Sequence, residues 1–175
     1  MIDFSQDYFT LFGLPARYRF DPVKLEAAYH ALQREVHPDR HAAAGETERR
    51  LAFQSSARVN EAYRALKDPI GRAVYLLSLR GVDALAETDT ALPMPFLQRE
   101  LERREAMAEA QAGADSNALT ALLHAVRADA ATLETVLAEH LDREAWPAAR
   151  DAVRQLRFLT KVGDDLTAAI AEVEV

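Results

Sequence analysis

Apolar residues recur at intervals of three and four along most of this chain, and no stretch sustains the apolar–polar alternation of a half-buried strand. That periodicity confines the chain to helices that bury one face against each other, an all-α fold, and sets aside a large sandwich or barrel. Asp21-Pro22 is a helix start, with an N-cap side chain and a proline at the first helical position, where its missing N–H costs nothing. Leu25, Tyr29, Leu32 and Val36 follow on one face, while Lys24, Gln33 and Arg34 fall off it and are predicted to be solvated. Pro38 disfavours helical geometry at His37 and stops the helix there.

Residues 38–46, with Gly45, read as a loop. A second helix is predicted over 47–67, with Leu51, Val59, Ala62 and Leu66 inward and Asp68-Pro69 as its stop. The two helices make an antiparallel hairpin. A short helical turn precedes them, ended by Gly13 and Pro15, and a helix over about 70–79 follows, ended at Gly81. The pattern then fades through a polar tract with Pro93 and Pro95. The expected organisation is therefore a first domain over 1–81, a linker over 82–95 and a three-helix bundle over 96–175. The bundle helices are predicted at 96–110, 116–141 and 146–174. Leu119, Leu122, Val126, Leu133 and Val136 form the stripe of the second; Val153, Leu156, Leu159, Leu166 and Ile170 form that of the third.

Charge divides along the same line. Residues 1–80 carry 12 Lys/Arg against 10 Asp/Glu, and residues 81–175 carry 9 against 18, within a net charge of −7. Such an acidic balance argues against nucleic acid as a partner, since phosphates call for a basic face. The 175 residues include no cysteine, which excludes disulfides, thiolate metal sites and a cysteine nucleophile. No apolar run is long enough to span a bilayer, and the first residues lack the basic and apolar regions of a signal peptide. A soluble, cytoplasmic protein with no membrane partner is expected.

Two tracts carry chemistry. His37-Pro38-Asp39 falls at the tip of the hairpin, where Pro38 stiffens the backbone, Asp39 offers a carboxylate to a partner's arginine and His37 adds a polar contact. A metal-dependent hydrolase using His37, Asp39 and His41 is the other reading, but paired histidines four apart need a continuous helix and Pro38 breaks it. No nucleophile elbow, phosphate loop or dinucleotide fingerprint occurs, and neither enzyme activity nor a cofactor is expected. The second tract runs from Phe96 to Glu109. Leu97 and Leu101 lie one turn apart, and Glu102, Glu105 and Glu109 form an acidic row beside them. Either the leucines face the core and the glutamates pair with Arg99 or Arg103, or this is a docking face with apolar anchors and an acidic rim.

With the tripeptide in place, residues 7–67 resemble a J-domain, the module through which co-chaperones act on DnaK-type ATPases. The strings Asp7-Tyr8-Phe9-Thr10-Leu11-Phe12-Gly13-Leu14-Pro15, Arg72-Ala73-Val74-Tyr75-Leu76-Leu77-Ser78-Leu79-Arg80-Gly81 and Leu156-Arg157-Phe158-Leu159-Thr160-Lys161 resemble the HscB family of iron–sulfur cluster co-chaperones. The resemblance implies a non-enzymatic, monomeric adaptor with two partners, a DnaK/HscA-type chaperone and the scaffold protein IscU; a J-protein serving a different client is the alternative. It assigns chaperone contact to Arg34, His37, Pro38, Asp39 and Arg40, and scaffold contact to Leu97, Leu101, Glu102, Glu105, Glu109 and Phe158. Lys24 is expected to add to the cationic face turned to the chaperone. Arg40 stands where a lysine often follows the tripeptide, and Gln98 where relatives can carry an apolar residue.

Overall fold

The computed structural model describes residues 2–37, 45–86 and 91–174, and among these every regular element is a helix. The chain divides into two compact units, Met1–Leu79 and Arg80–Val175.

The first unit holds α1 (Tyr8–Leu11), α2 (Pro22–Val36), α3 (Glu46–Lys67) and α4 (Pro69–Ser78). Asp7 caps α1, its carboxylate accepting from the Phe9 and Thr10 amides at 2.8 and 3.0 Å. Burial pushes this carboxyl upward, but the hydrogen bonds from Thr10 and the backbone prevail and hold it below its ordinary value. Asp21 caps α2 by accepting from the Val23 amide at 3.0 Å, and α2 ends at His37, which has left helical geometry (φ −59°, ψ 128°). Asp68 closes α3 and opens α4, its side chain accepting from the Gly71 amide at 2.6 Å. A Cβ on Gly71 would crowd that corner, lying 3.0 Å from the Ala65 carbonyl oxygen and 3.1 Å from the capping Asp68 carboxylate.

The α2–α3 hairpin is antiparallel, with Tyr29 stacked on Tyr63 at 3.9 Å and Gln33 donating to Asn60 at 2.5 Å. Gln33 is thus half-buried and tied to α3, where spacing alone predicted a solvated residue. Phe9, Leu25, Val59, Ala62 and Leu66 form the core between α1, α2 and α3. Arg72 on α4 donates to the carbonyls of Leu66 (2.8 Å), Tyr18 (3.0 Å) and Lys67 (3.4 Å) while its guanidinium lies 4.4 Å from the Phe20 ring centre. Tyr75 stacks on Tyr8 at 4.1 Å, and its hydroxyl accepts from the Tyr8 amide.

The second unit holds α5 (Met94–Ala112), α6 (Ser116–Asp142) and α7 (Trp146–Val173). Short turns join them through left-handed residues, Ala114 and Glu144. Asp115 caps α6 by accepting from the Ala118 amide at 2.9 Å. Leu119, Leu123, Val126, Leu137, Leu156, Leu159 and Leu166 fill the seam between α6 and α7. Val136 was predicted inward but is exposed; Leu137 takes the core position one step around the helix. Part of the tract predicted as a linker is built into this unit. Ala84 is buried and its carbonyl accepts from Arg154 Nε at 3.0 Å; Arg80, predicted within the first domain, also belongs to this unit, its guanidinium 5.3 Å from the Trp146 ring centre.

Candidate functional site

Of the residues assigned to chaperone contact, Arg34 and His37 are described, and both stand at the end of α2. Arg34 and His37 are exposed, three positions apart on one edge, and with His30 and Gln33 they line an open pocket of about 480 Å³. Pro38, Asp39, Arg40 and His41 lie outside the described residues. The local reason for the display is plain. Leu25 and Val36 bury the inner face of α2, the polar Gln33 is spent on Asn60, and the helix must release the chain at His37 because proline follows.

The residues assigned to scaffold contact lie on α5 and α7. Leu97, Leu101 and Phe158 are 39%, 60% and 38% exposed, and Glu102, Glu105 and Glu109 are exposed as well. The two leucines therefore do not face the core. Phe158 meets Phe96 edge-on at 5.6 Å, so the buried Phe96 ring holds Phe158 beside the turn of α5 that carries Leu97 and Leu101.

What α5 turns inward is a stripe at spacings of four and three: Phe96, Glu100, Arg103, Met107 and Ala110. Glu100 is 93% buried and pairs through Oε1 with Arg103 Nη1 at 2.5 Å, while Arg103 Nη2 reaches Asp129 on α6 at 2.5 Å. Arg103 therefore bridges two helices and is not available to the outer glutamates, contrary to the pairing considered from spacing alone. This triad was not foreseen. Its signal was the charged pair at 100 and 103 in register with Phe96 and Met107, one step away from Leu97 and Leu101.

Two family models match the chain: a DnaJ domain over residues 7–75 and the HSCB C-terminal oligomerisation domain over residues 92–167. Over 174 residues, 99% of each chain, it is 45% identical to the co-chaperone protein HscB homolog of Burkholderia multivorans. The chain belongs to the HscB family of J-domain co-chaperones. Its fold is similar to chaperone HscB from Vibrio cholerae, with a TM-score of 0.84 and 36% identity, covering 96% of this chain and 99% of that one. Human co-chaperone HscB is similar too, with a TM-score of 0.89 and 28% identity, covering 95% of this chain and 83% of that one. Within this HscB-family chain, residues 37–39 fall inside the DnaJ-domain match, and residues 97–109 and 158 fall inside the HSCB C-terminal match.

Proposed function

We propose that this HscB-family protein is a cytoplasmic, monomeric co-chaperone of iron–sulfur cluster assembly that works between two partners. Arg34, His37, Pro38, Asp39 and Arg40 engage an HscA-type chaperone and stimulate its ATPase. Leu97, Leu101 and Phe158, rimmed by Glu102, Glu105 and Glu109, hold the scaffold protein IscU. Linking the two contacts in one chain raises the effective concentration of scaffold at the chaperone without any new contact between them.

The observation that carries this reading is the exposure of Leu97, Leu101 and Phe158 on a folded bundle whose core is complete without them. Three large apolar side chains beside an acidic row have the make-up of a docking face, with apolar anchors inside a polar rim. The chaperone half is tested by His37→Gln and Asp39→Asn in an ATPase assay with the cognate HscA-type chaperone. Both variants should lose stimulation while keeping the melting temperature and helical circular dichroism of the parent, because His37 is exposed beyond the end of α2. Charge reversal at Arg34 should weaken stimulation, and added salt should weaken it in the parent. Parental stimulation in both tripeptide variants would remove the assignment.

A further inference from the structure

A groove of about 540 Å³ runs between α5 and α7, and Phe158 is one of its walls, so it is continuous with the proposed docking face. Met107, Val162 and Ala108 give it an apolar lining, and Arg104 and Lys161 stand on its two sides. Both cations are exposed, and neither forms an ion pair with a described residue. At the floor, Glu100 is already joined to Arg103. Asp165 is the remaining carboxylate of the lining, which leaves two rim cations against one anion.

The order of residues around α5 turns this into a pattern. At about 100° per residue, the helix presents Arg104 nearest the groove, then Leu97, Ala108 and Leu101, then Glu105, Glu109 and Glu102 on the outer side. The leucines thus separate a cationic edge from an acidic one. We infer that the docking face is bipolar, and that the scaffold presents to it a segment of matching polarity. Basic side chains lie along the outer glutamates; at the other end an apolar side chain enters the groove and a carboxylate sits between Arg104 and Lys161. This inference rests on the scaffold-docking reading above and adds orientation to it, because a segment laid the other way round would set like charges against each other at both ends.

The test is a titration of the cognate IscU scaffold against Arg104→Glu, Lys161→Glu, the double variant, and Ala108→Trp, which fills the groove from an exposed helix position. The double charge reversal and Ala108→Trp should each weaken binding by roughly fivefold or more, with melting temperatures at the parental value. Leu97→Ala is titrated alongside. Weakened binding in Leu97→Ala with parental affinity in the double reversal and in Ala108→Trp would overturn the groove while sparing the docking face. Tighter binding in the double reversal would overturn the assigned polarity. Parental affinity in all of them would overturn the docking reading and this inference together.

Discussion

The two units reach order by different means. In the first, helices are locked by polar side chains that reach far along the sequence to backbone groups: Arg72 to the Tyr18 carbonyl, Tyr75 to the Tyr8 amide, Arg58 to the Gln6 carbonyl. In the second, two helices of 27 and 28 residues zip together through leucine, valine and alanine, and the shorter α5 is laid on with few buried apolar residues of its own, Phe96 and Ala110. The difference follows what each unit is proposed to present. Contacts made from the end of a hairpin helix need a frame that does not give. Helix α5 leaves Leu97 and Leu101 in water and is attached through Phe96, Met107, Ala110 and the Glu100–Arg103–Asp129 triad. In α2, α5 and α7 alike, one face of the helix is buried while the other carries the residues proposed for recognition.

The comparison breaks first at Arg72. Arg72→Ala removes the donors to three backbone carbonyls and the cation over Phe20, and should destabilise the first unit by about 3 kcal/mol in denaturant unfolding. Arg72→Lys should restore little, because an ammonium lacks the fork that serves three carbonyls. A loss under about 1 kcal/mol would show that helical packing alone holds the frame. Next comes Arg103→Met, which strands the Glu100 carboxylate in the interior and should cost the second unit about 2–3 kcal/mol. The double variant Glu100→Met, Arg103→Met should recover most of that, and a double-mutant cycle with no coupling would remove the triad as the attachment of α5.

Smaller stability effects belong to the proposed docking face. Leu97→Ala and Phe158→Ala should each change the unfolding free energy by about 1 kcal/mol or less, since both side chains lie outside the buried cluster, while weakening scaffold binding by about 1 kcal/mol or more. A stability loss of about 2–5 kcal/mol would return them to the core. The smallest effect is a gain. Gly163 lies within α7, and a Cβ there would meet Leu123 and Val126 at 3.9 Å, an ordinary contact. Gly163→Ala should stabilise the zipper by about 0.5–1 kcal/mol, measured as a raised melting temperature.

How much of this was legible in the sequence depends on the range over which the physics acts. Asp21-Pro22, Asp68-Pro69 and Pro38 punctuate the chain locally, and the helices they bound stand within a residue or two of where spacing put them. The inward stripe of α2 was readable for the same reason. The facing of α5 was also encoded, in the register of Phe96, Glu100, Arg103 and Met107. A buried Glu–Arg pair looks like surface until its partner Asp129 is known to stand opposite on α6. Val136 failed in the reverse sense, since spacing fixes a stripe only to within one step and Leu137 won the core. Arg72 and Tyr75 belong to a string that resembles the family, but their contacts at residues 18 and 8 span more than fifty positions and carry no periodic signal. The groove between α5 and α7 arises only from how those two helices pack.

The central claim is that chaperone stimulation and scaffold binding sit on two separable faces of one chain. Single-turnover ATPase of the cognate HscA-type chaperone, measured with this protein in the presence and absence of IscU, tests it directly. The double variant Leu97→Ala, Phe158→Ala should stimulate like the parent without scaffold and lose the further increase that scaffold brings, while His37→Gln should bind scaffold like the parent and stimulate in neither condition. A docking-face variant that keeps the scaffold-dependent increase, or a His37→Gln variant that still stimulates, would contradict the account.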